Sequence, residues 1–270
     1  MELLIRNFFS ALSTIFLALS MIFFAMRLTP GDPVERILGP KASQEEILNY
    51  RHQLGLDAPL VKQYLIFLKG VCTGDLGDSL FKKKKVGDLL LLFMAPSIIL
   101  ALVSVSLSSI LGFFMGIVSA RLKGGPFDRG FKIVALIGLA FPIFSLAPLL
   151  VLLFSIKFNL LPVSEWTSVK HAVLPVMTLV IPLSAIIMRV TRARFLDDEQ
   201  NQWVTVLQAK GLGPVAVWGR VAKVTLPTVL NVVAIQLSVV MAGTMITETI
   251  FDIPGMGQLL FEDYKIEIIP

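Results

Sequence analysis

The side chains in this sequence that could do chemistry are few and lie far apart. The two histidines, His52 and His171, form no ligand pair, and the single cysteine, Cys72, excludes an internal disulfide. There is no glycine-rich phosphate loop ending in Gly-Lys-Ser/Thr, no His-Glu-x-x-His pattern, and no Ser-His-Asp or cysteine cluster. Asp75 and Asp78 lie in the run Gly74–Ser79 and could touch calcium, but the loop lacks a full ligand set, and a hydrogen-bonded turn accounts for the same residues. Glu248 differs in its surroundings, because it closes the apolar run from Thr228 to about Ile250. In that run Gln236, Gly243 and Thr247 share one face at the helical period, with Thr244 and Glu248 beside them. A polar stripe in such a run faces protein or water rather than lipid, and an intramembrane carboxylate is a candidate for a solute path. Glu248 could equally stand wet at the outer interface, since Asp252 follows one turn later. No catalytic constellation or resident cofactor emerges, and the chemistry suits a passive conduit.

These residues are carried by a chain of 270 residues, 55% hydrophobic and 16% charged, with a mean hydropathy of +0.80. A soluble domain carries roughly a quarter charged residues. The apolar excess is gathered into long runs, which predicts an all-α integral membrane protein. The net charge of +5 fits basic cytoplasmic loops better than nucleic-acid binding.

Five spans are predicted: Phe8 to Met26, about Pro96 to Ala120, about Ile133 to Phe158, about Ala172 to Met188, and Thr228 to about Ile250. The first is too long for a signal-peptide core and no small-x-small site follows it, so it reads as an uncleaved span with its amino terminus in the cytoplasm. Pro142 and Pro148 interrupt the third as a kink, and Pro175 and Pro182 lie in the fourth. In the second, Ser104, Ser108, Gly112 and Gly116 recur every four residues, a spacing that lets helix backbones approach closely. The loop holding Arg121, Lys123, Arg129 and Lys132 against Asp128 faces inward, as does 189–227, with six basic and three acidic residues.

The expected division is a first span at 1–27, a helical insertion at 28–93 outside the membrane, and a main membrane domain at 94–270. The insertion begins with a turn at Pro30-Gly31-Asp32-Pro33. Ser43 and Glu46 then make a capping box whose helix stops near Gly55. A second helix opens at Asp57-Ala58-Pro59, with Leu60, Tyr64, Phe67 and Leu68 on one side, and ends near Gly70. The lysine run Lys82 to Lys85 reads as a solvated loop.

Between the fourth and fifth spans lies Trp203 to Pro227, too polar to cross a membrane. Val204, Leu207 and Leu212 precede or enter a break at Gly211, Gly213 and Pro214; Val217, Trp218, Val221 and Val224 follow at helical spacing. The reading is helix, sharp turn, helix, lying against the membrane. This stretch resembles the cytoplasmic loop of permease subunits of ATP-binding-cassette (ABC) importers of the dipeptide, oligopeptide and nickel class. The resemblance rests on Ala209-Lys210-Gly211-Leu212 and Leu226-Pro227, with Thr205, Val206 and Leu207 where the family has Glu-Ala-Ala. It extends over Leu28 to Pro33, Leu54 to Pro59, Gly74 to Ser79, Leu160 to Val163, Gly243 to Phe251 and Ile253 to Leu259.

The resemblance implies the type I importer fold in a bacterial inner membrane. It also implies an ATPase-docking loop at Ala209, Lys210, Gly211, Leu212, Gly213, Leu226 and Pro227. The expected partners are a second related permease, two ATPases that carry the ATP, an external substrate-binding protein and membrane lipid. The expected cargo is peptides, with nickel or glutathione as alternatives. Family members have a sixth span; the five counted here would leave the carboxyl terminus outside, as in a fragment, an inactive truncated permease or a short member. The competing reading is an ion-coupled secondary transporter, for which Glu248 is the only candidate coupling residue.

Overall fold

A computed structural model describes residues 2–28, 34, 38–39, 42–79, 82 and 84–260. The expected turn at Pro30 to Pro33 and Lys83 of the lysine run lie outside the described residues. Among the described residues the ordered structure is helical, with one isolated antiparallel bridge, Asp78 to Lys85. The chain divides into two compact units, Met1–Leu89 and Leu90–Pro270.

In the first unit, α1 (Glu2–Leu28) is apolar nearly throughout and exposed along most of its length. α2 (Gln44–Gln53) begins at the expected capping box: the Ser43 side chain accepts from the Glu46 N–H at 3.3 Å, and Glu46 Oε2 accepts from the Ser43 N–H at 2.8 Å. Those bonds from Ser43 hold the Glu46 carboxyl below the usual range. The helix stops at Gly55, whose φ of +66° suits glycine.

α3 (Leu60–Thr73) runs past Gly70, where the sequence suggested an end. The terminator is Gly74 at φ +75°, while Gly70 serves close approach, since a Cβ there would lie 2.5 Å from the Asp75 carbonyl oxygen. Phe23 of α1 meets Tyr64 and Phe67 of α3, each at 5.3 Å between ring centroids, and Ser20 Oγ lies 2.6 Å from Tyr64 Oη. Leu60, expected on that packed side, is exposed instead. Asp75 accepts the Gly77 N–H at 3.2 Å, so Gly74–Ser79 is a hydrogen-bonded turn.

α4 (Val86–Arg121) starts ten residues before the predicted Pro96 and contributes to the second unit from Leu90 on. It packs on α7 (Val169–Glu199) through the small-residue stripe. A Cβ at Gly112 would lie 2.7 Å from Ile187 Cβ, and one at Gly116 2.6 Å from Thr191 Cβ. Ser104 and Ser108 are fully buried. α7 extends to Glu199, past the expected Met188, because no glycine or proline interrupts Arg189–Glu199.

α5 (Pro126–Ala140) and α6 (Ile143–Leu150), the latter continuing as a π-helical turn over Val151–Lys157, occupy the region of the expected third span. They meet at 104°, a sharp bend rather than a kink. Proline at 142 forces Phe141 into extended backbone (φ −90°, ψ 116°).

α8 (Gln202–Ala209) is followed by α9 (Pro214–Gly243) and α10 (Met245–Phe251). α9 is unbroken through Pro227, so the second helix of the expected helix-turn-helix and the fifth span are one element. α4, α6, α7, α9 and α10 supply a common core including Leu100, Leu146, Leu174, Leu179, Val240 and Phe251. Four helices, α1, α4, α7 and α9, are long and apolar enough to cross a membrane, and the bent pair α5–α6 makes a fifth if it is one span.

Candidate functional site

The reversal between α8 and α9 is closed by backbone bonding. Leu212 N–H donates to the Leu207 carbonyl at 3.3 Å and Gly211 N–H to Gln208 at 2.9 Å, a Schellman closure with Gly211 at φ +79°. Leu207 and Leu212 sit in one apolar cluster, the hydrophobic contact that accompanies this closure. Gly213, extended at ψ 155°, caps α9, and Pro214 takes its first position, where a missing N–H costs no bond.

The underside of this knuckle is seated. Val204, Val217 and Val221 are buried against Phe195 of α7 and Ala120 of α4, with Trp203 and Trp218 packed around them. Val224, expected on this inner face, is 47% exposed. Thr225 is buried in its place, because its hydroxyl donates to Asp198 Oδ2 at 2.9 Å. The top is open: Val206, Gln208, Ala209, Lys210, Gly211, Gly213 and Val215 are exposed. Leu212 is half-buried, tucked beneath. Leu226 and Pro227 are exposed on α9 but roughly 20 Å along it from Pro214 at 1.5 Å per residue, so they are not part of the turn.

Two buried carboxylates brace this end of the molecule. Asp198 is held by Thr225 and by Arg194 Nη2 at 3.2 Å. Asp128, fully buried, accepts from Arg192 twice: Nε donates to Oδ1 at 2.8 Å and Nη2 to Oδ2 at 3.0 Å. Ser119 Oγ donates at 2.7 Å, the Gly124 N–H at 3.0 Å, and Lys132 Nζ lies 3.0 Å away. This joins the α4–α5 turn to α7. The Arg121 guanidinium lies over the Trp218 ring, linking α4 to the foot of α9. Sequence reasoning noted Asp128 only as a charge among basic residues; that isolation was a usable signal. Nothing local marked Asp198 or Thr225.

Glu248 is fully buried, which overturns the alternative of a wet interfacial position. Ser97 Oγ donates to its Oε1 at 2.7 Å, while the Gly257 and Gln258 N–H groups donate to Oε2 at 2.7 and 3.3 Å. Ser97 Oγ in turn accepts the Met256 N–H at 2.9 Å. Gly255 has no room for a side chain, since a Cβ there would collide with Glu248 Oε2. Glu248 therefore clamps the segment after α10 onto α4. Gln236 Nε2 and Thr247 Oγ1 are buried with no hydrogen-bond partner among the described residues. Gly243 is exposed in open space at the end of α9 and does not join them. Among the described residues no group of three or more His, Cys, Asp or Glu side chains could hold a metal.

Residues 109–270 match the family described as binding-protein-dependent transport system inner membrane component, and residues 1–85 match the N-terminal model of such membrane components. The chain is 31% identical to a probable peptide ABC transporter permease protein of Sinorhizobium fredii, over 97% of this chain and 87% of that protein. It is 32% identical to a glutathione transport system permease protein of Pectobacterium atrosepticum, over 98% and 87% of the two chains. A glutathione transport system permease protein of Escherichia coli strain K12 is 30% identical over the same shares, 98% and 87%.

Proposed function

The chain belongs to the family of binding-protein-dependent transport system inner membrane components, and on that premise we propose that its α8–α9 knuckle is where an ATPase subunit docks. The chain is a multi-pass inner-membrane permease subunit of an ABC importer and is not itself an enzyme; it works with an ATPase and a substrate-binding protein.

The observation that carries the docking proposal is the knuckle's two-sidedness. Its underside is fixed to α4 and α7, while Val206, Lys210, Gly211 and Val215 project from a turn set by backbone bonds. A surface of that kind passes on force because it cannot yield under load. ATP binds to two such partner ATPases, and a second related permease completes the path. The exposed apolar side of α5, at Ile133, Val134, Leu136 and Ile137, is suited to lipid or to that second permease. The cargo is a small peptide, in keeping with the peptide and glutathione permeases that the chain resembles, glutathione being itself a tripeptide. Gln236 and Thr247, buried with unused polar atoms, are the path residues favoured within α9 and α10.

The test is to replace Gly211 by Pro or Trp in the assembled importer. Both conflict with φ +79°, and proline also removes the N–H given to Gln208. The permease should stay in the membrane while ATPase co-purification and ATP-driven peptide uptake are lost. Normal uptake would sink the proposal. An ion-coupled carrier has no support, since the chain belongs to a family of ABC importer permeases and Glu248, its candidate coupling residue, is bonded within the chain.

A further inference from the structure

The arginine-rich end of α7 is gripped from two sides. Arg192 holds Asp128, and through it the α4–α5 turn. Asp198 lies six residues further, about 240° round the helix, and holds Thr225 on α9. Both carboxylates are buried, and both bond a cation on α7 together with a hydroxyl on another helix: Ser119 on α4 for Asp128, Thr225 on α9 for Asp198. The apolar seat under the knuckle lies between these two grips, formed by Phe195 of α7 and Ala120 of α4.

Apolar packing resists separation but allows sliding, because it has no direction. Hydrogen bonds to a charged group are directional, and losing one side of a buried pair leaves the other unsatisfied. The two grips therefore supply what the apolar seat lacks, a fixed register between the knuckle's foot, α7 and the α4–α5 turn.

We infer that Asp198–Thr225 and Asp128–Arg192 are the positioning pairs that make the knuckle, the end of α7 and the α4–α5 turn move as one body when the ATPases close. The inference rests on the docking proposal above. The chemistry adds no ligand; the four residues act through the helices they tie, and the docking surface itself is made by other side chains.

The test uses the complete importer, with partner permease, ATPases and binding protein, and this chain carrying spin labels at Lys123→Cys and Lys223→Cys in a Cys72→Ser background. Both lysines are exposed, and Cys72 is the only native cysteine. With the pairs intact, the label separation should stay narrow and unchanged between nucleotide-free and ATP-bound complexes. Thr225→Val keeps the shape but removes the donor, and the population of a slipped register should rise by about tenfold, seen as a second separation that appears with ATP. Thr225→Ser should restore the wild-type distribution. Thr178→Val is the control for loss of a buried hydroxyl, because among the described residues Thr178 bonds only the Leu174 carbonyl of its own helix; it should behave as wild type. Arg192→Gln should give the same slippage on the other side.

A single unchanged separation in Thr225→Val and Arg192→Gln would overturn the inference, and so would an ATP-driven change in the wild type. If the ATPases fail to co-purify with the wild-type chain, the docking proposal itself falls and takes this inference with it. If they co-purify equally with all variants and only the slippage is missing, docking stands and the brace alone is refuted.

Discussion

Replacing Glu248 by alanine tests whether a fully buried carboxylate is a clamp or a passenger. The structure gives Glu248 three donors, two of them at 2.7 Å: Ser97 Oγ and the Gly257 N–H. A hydrogen bond to a charged group contributes about 1.5–3 kcal/mol, so the two short bonds amount to roughly 3–6 kcal/mol. Against this stands the desolvation of the carboxylate, a cost the alanine would remove. Alanine leaves the buried Gly257 N–H and the half-buried Gln258 N–H without this partner, which is the same loss seen from the donors' side, and opens a cavity beside Gly255. With the two short bonds taken at the low end of that range, to allow for desolvation, the wild type is favoured by about 3 kcal/mol, a large share of the roughly 5–15 kcal/mol that holds a domain folded. Ser97→Ala should cost less, because it removes one donor to Glu248 and the acceptor for Met256. Glu248→Gln should fall between wild type and alanine, keeping the shape and one carbonyl acceptor. The assay is unfolding of the purified importer in mixed micelles, followed by tryptophan fluorescence; Trp166 packs against the core that contains Phe251 and Ile253. A double-mutant cycle between Ser97 and Glu248 should show a coupling of about 0.5–3 kcal/mol. If Glu248→Ala is as stable as wild type, or more stable, desolvation outweighs the bonds and the clamp reading is wrong.

Gly116→Ala should destabilise the α4–α7 contact by about 1–3 kcal/mol through overpacking, because the new Cβ meets Thr191 Cβ at 2.6 Å and the Met188 carbonyl at 2.8 Å; thermal unfolding in detergent measures it, and Gly130→Ala, with open space around it, should cost far less. Ser43→Ala removes the cap of α2 at a cost of about 1 kcal/mol, visible as faster amide exchange confined to Gln44–Gln53; unchanged exchange there would mean that the cap is idle.

Several features were readable because their signals are local. Ser43 and Glu46 are three residues apart, and the Ser104–Gly116 stripe recurs each turn, so spacing alone announced a cap and a packed seam. The turn at Gly211 was likewise announced by the glycine–proline pair that follows it. What escaped depends on partners distant in the chain. Thr225 is buried because Asp198 lies 27 residues away, and Asp128 because Arg192 lies 64 residues away; neither pairing leaves a trace in periodicity. Val224 is the more apolar neighbour of Thr225, so hydrophobicity pointed at the wrong one. Pro142 illustrates a second limit: the same residue serves a mild kink or a 104° break, and packing around it decides which. The fourth apolar run ends near Met188, but α7 continues to Glu199, because the arginines leave the apolar environment without leaving the helix. Glu248 was singled out for its charge, yet its role depends on Gly255, whose missing Cβ makes the space for that carboxylate.

The continuity of α9 through Pro227 makes it a lever. Thirty residues at 1.5 Å each give a rod of about 45 Å, with the proposed docking knuckle at one end and Gly243 at the other. A tilt of 5° about its foot would carry the far end through about 4 Å at that length, the width of a side chain. A passage could therefore open or shut while every residue along the rod keeps its own hydrogen bonds. A hinge at Pro227 would absorb such a stroke locally, whereas an unbroken helix would carry it to the far end.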